Sequence, residues 1–243
     1  DAYGIPYTFS DPLVSSLTLH KGMTKRVLRD LGVRTTDFRV VESEADLEAV
    51  DLAFPLFVKP VAEGTAKGVT GASRVTTRAA LARECHRVLE TYGQPALVEP
   101  FLPGREFTVG ITGTGARAEA VGTMEVVLKD NAEPFSYTYV NKEICEEVCE
   151  FPLAPPEWAR PAEELALAAW RGLGCRDGGR VDLRAGPDGL LYVMELNPLA
   201  GLHPTHSDLP MIATARGVPY LELIRRIVDS AAERCGAPAA AAR

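Results

Sequence analysis

No stretch of the 243 residues approaches 18 uncharged apolar positions, which excludes a membrane-crossing helix of ordinary length. The most apolar run, Leu52 to Val58, is broken by Pro55 and followed by Lys59. A secretory leader is missing too, and because the chain opens on Asp1 rather than Met the expectation is a processed form or a fragment. No block of five like charges occurs. The net charge of −7 works against nucleic acid as a partner, since binding a phosphate backbone needs concentrated basic surface. Five cysteines (Cys85, Cys145, Cys149, Cys175 and Cys235) contain no CxxC pair and are odd in number, which fits reduced, inert thiols in a cytoplasm. Cys145 and Cys149 lie among Glu146, Glu147 and Glu150, yet no second ligand pair stands at zinc spacing. Also absent are a Gly-Lys-Ser/Thr loop ending, a GxGxxG after a strand and a GxSxG elbow. These absences remove the P-loop, Rossmann and serine-hydrolase readings.

What remains is an ordinary globular composition, 46% hydrophobic and 24% charged, in a chain long enough for one large domain or two small lobes. Apolar spacing predicts a helix from Leu17 to Leu31, closed by Gly32, and a short helix from Glu44 to Val50. A buried strand from Pro55 to Lys59 ends at Pro60, and a glycine-rich loop follows from Glu63 to Gly71. Thr77 caps a helix running to about Leu89, and Ala96 to Leu102 reads as a strand. Beyond the Pro103-Gly104 turn, Glu106 to Thr112 and Ala118 to Leu128 suit an antiparallel pair, and Lys129 to Cys149 reads as a loop. A helix from Pro155 to Leu173, a hairpin of Arg180 to Ala185 with Leu190 to Asn197, and one or two helices from Leu209 to Arg234 complete the chain. Strands and helices mix without a βαβ repeat, so the expected class is α+β.

The hairpin concentrates the chemistry. If the Gly186-Pro187-Asp188-Gly189 turn sets Ala185 opposite Leu190, then Arg180 faces Glu195 and Asp182 faces Val193. Alternation sends Arg180, Asp182, Glu195 and Asn197 to one face. Two carboxylates and an amide oxygen are hard ligands suited to Mg²⁺, able to serve a pair of ions about 4 Å apart. A solvated hairpin face with a surface ion pair is the plainer alternative. Lys59 closes an apolar strand, either snorkelling outward or meeting an anion in a cleft. The Gly64, Gly68 and Gly71 loop offers backbone N–H groups that can close over phosphates, or is a plain connection. Glu99 lies in a run that otherwise wants burial, so it needs donors: an adenine amino group between lobes, or a core salt bridge. Glu106 stands where it could accept from ribose hydroxyls. His203 and His206 suit a substrate-orienting or helix-capping loop better than a metal pair.

In this order the segments resemble the ATP-grasp superfamily, and within it the D-alanine:D-alanine ligase group. The resemblance rests on Ile5 to Asp11, on His20-Lys21 through Lys25, on Phe57-Val58-Lys59-Pro60 with Glu63-Gly64-Thr65, on Val98 to Leu102 with Gly104 to Val109, and on Gly179-Arg180-Val181-Asp182 with Glu195-Leu196-Asn197-Pro198. It implies an α+β fold whose two lobes, 17–102 and 103–235, clamp ATP, with 1–16 the remnant of an amino-terminal lobe and 236–243 a flexible tail. It implies Lys21 and Lys59 on the phosphates, the Gly64 to Gly71 loop as a lid with Glu63, Gly64 and Thr65 at the nucleotide, and Glu99 with Pro100, Phe101 and Leu102 around adenine. Glu106 would take the ribose and Lys142 the γ-phosphate. Asp182, Glu195 and Asn197 would hold Mg²⁺ or Mn²⁺, Arg180 and Gly201 the developing oxyanion, and Ser207 the substrate. The implied activity is ATP-dependent amide-bond formation between amino acids through an acyl phosphate, by a cytoplasmic enzyme with small-molecule partners and a homodimeric habit. Three departures bear on the acceptor. Glu143 stands where strict members carry tyrosine, Thr65 replaces a serine, and the Leu199 to Pro210 segment is one residue longer. Glu143 leaves open a ligase for another amino acid acceptor, such as a cationic one, in specialised peptide synthesis, and the expected absence of the amino-terminal lobe leaves open a nucleotide-binding module inactive without it.

Overall fold

The computed structural model describes residues 3–132 and 144–236. Two antiparallel sheets organise the chain. The first has the order β1-β4-β2-β3, with β1 at Arg39–Val41, β2 at Leu56–Pro60, β3 at Arg74–Val75 and β4 at Ala96–Pro100. The second has the order β7-β6-β5-β8-β9, with β5 at Glu106–Thr112, β6 at Glu119–Leu128, β7 at Cys149–Glu150, β8 at Gly178–Ala185 and β9 at Leu191–Asn197. The α+β expectation is met.

The spacing predicts one helix over Leu17 to Leu31, but the chain forms two, α1 (Pro12–Leu19), which begins five residues earlier, and α2 (Lys21–Asp30). His20 breaks them: its backbone is extended, at φ −87° and ψ 90°, while its Nδ1 accepts from Met23 N at 3.2 Å and so caps α2. Helix α3 (Arg78–Tyr92) covers the first sheet, burying Leu81, Cys85 and Val88 against Leu56, Val58 and Val98. It starts at the Thr77 cap and stops at Gly93, whose φ of +60° a residue with a side chain reaches only with strain. Pro60 pairs with Ala96 as the last residue of β2, one position beyond the expected strand end. The missing N–H is tolerated because β3 covers β2 only at Leu56 and Phe57.

The short α4 (Cys145–Val148) precedes β7. On one face of the second sheet lies α5 (Pro156–Gly172), whose Ala162, Ala166, Ala169 and Trp170 pack on Phe107, Val109, Val181 and Leu183. On the other face lie α6 (Asp208–Ala215) and α7 (Tyr220–Arg234). A Cβ at Gly110 of β5 would stand 3.0 Å from Leu209, so the bare backbone there lets α6 approach the sheet. The amino-terminal segment is tied to this second sheet. Buried Asp177 accepts from Phe9 N at 2.7 Å and from Arg234 at 2.8 Å, and Arg176 pairs with Asp11 at 2.5 Å.

The hairpin register differs from the sequence-based one in a way that spares its face. Gly186 N donates to Leu190 O at 2.8 Å and Gly189 N to Gly186 O at 3.1 Å, with Gly189 at φ +75°, so the loop has three residues and Ala185 opposes Leu191. A bulge between Asp182 and Leu183 shifts the ladder once more, setting Asp182 opposite Glu195 and Arg180 opposite Asn197. Two shifts of one residue restore the original parity. Arg180, Asp182, Glu195 and Asn197 therefore share a face, while the expected Arg180–Glu195 and Asp182–Val193 pairings do not form.

The sheets meet along the segment between α2 and β1. Val193 N donates to Arg34 O at 2.9 Å and Thr35 Oγ1 donates to Val193 O at 2.8 Å, joining that segment to the edge strand β9.

Candidate active site

Between the two sheets lies an open cleft of about 680 Å³ including its mouth, within the size range of small-molecule sites. Of the residues singled out from the sequence, Lys21, Lys59, Glu63, Glu106, Asp182 and Glu195 line it, joined by Lys67, Arg184 and Met194. Lys21, Glu63 and Glu195, with Gly64 and Asn197, also line an adjoining cavity beside Ser15, Thr18 and Leu199.

The strand pattern explains the acidic wall. Glu106 and Thr108 alternate along β5 and stand opposite Arg184 and Asp182 of β8. Thr108 donates its hydroxyl to Asp182 Oδ1 at 3.0 Å, and Asn197 Nδ2 lies 3.1 Å from Asp182 Oδ2 and 3.4 Å from Glu195 Oε1. Arg184 stands 3.5 Å from Glu106. The Asn197 amide thus sits between two carboxylates, each with a cation 3.4 Å away, Arg180 at Asp182 and Lys21 at Glu195. Two carboxylates and an amide on converging side chains fit a hard divalent cation, the amide oxygen replacing its nitrogen by a simple flip. Among the described residues no three His, Cys, Asp or Glu side chains gather into a metal cluster.

Facing this wall are the lysines. Lys21, at the first turn of α2, lies 3.4 Å from Glu195 Oε2 and donates to Glu63 O at 2.5 Å. Lys59, the last residue but one of β2, reaches Glu99 Oε1 at 2.5 Å, at the cleft margin with 8% of its surface exposed. Glu99 itself is fully buried, and its Oε2 is held by Lys25 at 2.8 Å and by the Thr36 hydroxyl at 2.9 Å. Burial alone would push this carboxyl up, but Lys25 and Lys59 together outweigh it and hold Glu99 down at about 2. Lys25 is pushed below the usual lysine range by its burial, with Glu99 opposing the shift. Glu99 thus has ion-pair partners in the core, one of the two kinds of donor the sequence allowed for it. Phe101 N donates to Pro55 O at 2.9 Å, Pro100 pairs with Leu56, and Leu102 is buried.

The glycine-rich loop is braced at both ends. Gln94 accepts from Ala62 N at 2.8 Å and donates to Glu63 Oε1 at 2.7 Å, and Arg87 donates to Gly68 O at 2.8 Å. Between these braces Thr65 and Ala66 adopt φ of +50° and +56°. Gly68 has φ +84° and stands so close to Pro60 that a Cβ would come within 2.4 Å of its ring.

At the far end of the hairpin, Arg180 lies 3.4 Å from Asp182 and contacts Asp208, the first residue of α6. Ser207 precedes it and accepts from His203 N at 3.0 Å, while Gly201 packs against the Ser207 hydroxyl. Arg180 and Ser207 are therefore brought together through α6. His203 and His206 lie ring to ring, 4.7 Å apart. Lys142 and Glu143 lie outside the described residues. Sequence reasoning missed Thr36, Thr108, Arg184 and Asp208, and gave Lys25 no role of its own. Three of these had a signal: Lys25 is one helical turn from Lys21, Thr108 is one alternation from Glu106, and Arg184 is one alternation from Asp182.

Comparison with known proteins bears on this geometry. The family model described as the D-ala D-ala ligase C-terminus matches residues 27–229. A D-alanine--D-alanine ligase of Bordetella petrii is 37% identical over 240 residues, covering 97% of this chain and 71% of that protein. One from Cupriavidus pinatubonensis is 34% identical over 233 residues, covering 94% of this chain and 68% of that protein. The D-alanine--D-alanine ligase of Bacillus anthracis, crystallised in complex with ATP, is similar with a TM-score of 0.76 at 26% identity, over 97% of this chain and 73% of its own. The ligase of Coxiella burnetii shares the fold, with a TM-score of 0.74 at 20% identity, and this chain spans 62% of its length.

Proposed function

The chain belongs to the D-alanine:D-alanine ligase family of the ATP-grasp fold, and on that premise we propose that it activates an amino acid carboxylate with ATP and joins it to a second amino acid, D-alanine in the first instance. One observation carries the reading. Lys21, Lys59, Glu106, Asp182 and Glu195, from five separate elements, line a single cleft. A carboxylate is a poor acyl donor, so the γ-phosphoryl of ATP is first transferred to it, and the amine then attacks the acyl phosphate through a tetrahedral oxyanion.

In this reading Lys21 and Lys59 meet the phosphates, with Lys142 on the γ-phosphate. The loop at Glu63, Gly64 and Thr65 closes over them and keeps water from the acyl phosphate. Glu106 accepts from the ribose, and the segment Glu99 to Leu102, chiefly its backbone, meets adenine. Asp182, Glu195 and Asn197 would hold Mg²⁺ or Mn²⁺, whose charge offsets that of the triphosphate. Arg180, with backbone amides at Gly201, faces the oxyanion, and Ser207 orients the substrate. The reaction is cytoplasmic and its partners are amino acids, with a homodimer as the family's habit. Among the described residues no helix is long and apolar enough to cross a membrane.

A second reading concerns the acceptor. Glu143, where strict members of the family carry tyrosine, puts an extra carboxylate beside Lys142 and suits an acceptor that carries additional positive charge. The test is phosphate release from ATP and Mg²⁺ across a panel of D- and L-amino acids, with ATP binding measured separately and Glu195→Gln as control. Release with D-alanine, lost in the control, supports the dipeptide ligase. Release with another acceptor alone moves the substrate, and binding without any release leaves a nucleotide-binding module.

A further inference from the structure

Lys25, Lys59 and Glu99 form a buried cluster of two cations and one anion, with a net charge of +1. Its two lysines are not equivalent. Lys25 is 1% exposed and its three ammonium protons have three acceptors, Glu99 Oε2, Thr35 Oγ1 and Thr36 Oγ1, each at 2.8 Å. Lys59 sits on the other oxygen, Oε1, and lines the cleft. Thr36 adds its own hydroxyl proton to Oε2 at 2.9 Å. If Lys59 withdrew, Glu99 would keep a cation and a hydroxyl on Oε2. If Lys25 were absent, Glu99 would depend on Lys59 alone, and a fully buried carboxylate does not release its last cation.

We propose that Lys25 is a positioning residue that serves as the standing counter-ion of Glu99, so that Lys59 is free to exchange Glu99 for a nucleotide phosphate. The proposal rests on the nucleotide reading of the cleft and deepens it. The spare positive charge of the cluster lies at its cleft end, on the one lysine able to turn outward. The unused half of the cluster is anchored elsewhere: Thr35, which holds Lys25, donates to Val193 O of the hairpin at 2.8 Å. Lys25 is thereby fastened to both sheets at once, and it stays while Lys59 moves.

The test compares ATP with adenosine. In the wild-type chain, ATP binding is measured first; no binding overturns the nucleotide reading and the exchange with it. Given binding, Lys25→Met weakens ATP by at least about tenfold, the scale of one charge-assisted hydrogen bond, and leaves adenosine unchanged. Adding Glu99→Gln to Lys25→Met removes the demand for a counter-ion, so ATP affinity returns to that of Glu99→Gln alone. Equal loss of ATP and adenosine, or no rescue by Glu99→Gln, reduces Lys25 to a structural role and overturns the proposal. A second measurement is independent of whether Lys25→Met folds. In a crystal of the wild-type chain with a non-hydrolysable ATP analogue, the Lys25–Glu99 contact persists and the Lys59–Glu99 contact opens. ATP bound with Lys59 still on Glu99 overturns the exchange alone.

Discussion

Thr108 Oγ1 donates to Asp182 Oδ1 at 3.0 Å from the neighbouring strand, which fixes the carboxylate so that its other oxygen faces Asn197 and Glu195. Outer partners of this kind orient ligands, and their loss costs about 10–100-fold in metal affinity. Thr108→Val is therefore expected to raise the Mg²⁺ concentration needed for half-maximal phosphate release by about tenfold or more, with Thr108→Ser restoring it. Unchanged Mg²⁺ dependence in the valine variant would show that Asp182 is held well enough by Arg180 and Asn197.

Acid stability reports on Glu99. Its carboxyl titrates at about 2 in the folded chain, below the ordinary 4.5, because Lys25 and Lys59 outweigh the cost of burial. As pH falls the unfolded chain takes up the proton first, so the stabilisation is fully present above pH 4.5 and is lost as pH falls toward 2. The urea midpoint of the wild type should drop through this window, and that of Glu99→Gln should start lower and fall less steeply. Parallel curves would mean that Glu99 contributes no proton linkage.

Thiol reactivity separates the cysteines. Burial pushes the Cys85 and Cys175 thiols up to about 12, whereas Cys235 is exposed at the end of α7. An alkylating reagent at about pH 8 should modify Cys235 in the native chain and reach Cys85 and Cys175 only after denaturant is added. Peptide mass spectrometry distinguishes the sites, and early labelling of Cys175 would mean that the contact between the amino-terminal segment and the second sheet opens readily.

Gly179 precedes Arg180 at a place where no side chain fits. A Cβ there would stand 2.5 Å from both Asn197 O and the Trp170 ring. Gly179→Ala is expected to destabilise by about 1–3 kcal/mol, seen as a lower Tm, because neither a strand backbone nor a core tryptophan yields cheaply. Gly71→Ala, with nothing within 4 Å of its Cβ, should stay within about 0.5 kcal/mol of wild type.

Much of the fold was legible because its signals are local. The helix start at the Thr77 cap, and the alternation along β5, β8 and β9, follow from local capping and from the period of the strand, whereas the helix runs past the expected end near Leu89 to Tyr92, where Gly93 stops it. The hairpin face survived a wrong register for the same reason, since parity needs the offset only to within a multiple of two. The helix break at His20 was not legible, because it turns on a ring nitrogen finding Met23 N. Strands β1 and β3, three and two residues long, carry too little pattern to stand out and form only because β4 and β2 are there to pair with them.

The site divides along the same line. Sequence alone determined which chemistries are available: two lysines ahead of a glycine-rich loop, a buried glutamate, and a hairpin face of arginine, carboxylates and amide. Tertiary structure decided who holds whom. Glu99 is taken by Lys25 and Lys59, Arg180 is shared between Asp182 and Asp208, and Lys21 lies against Glu195 across the cleft. Alternation and capping are properties of a few neighbouring residues, whereas the strength of an ion pair depends on through-space distance and on the water removed around it. Both of those quantities come into being only when the two sheets pack.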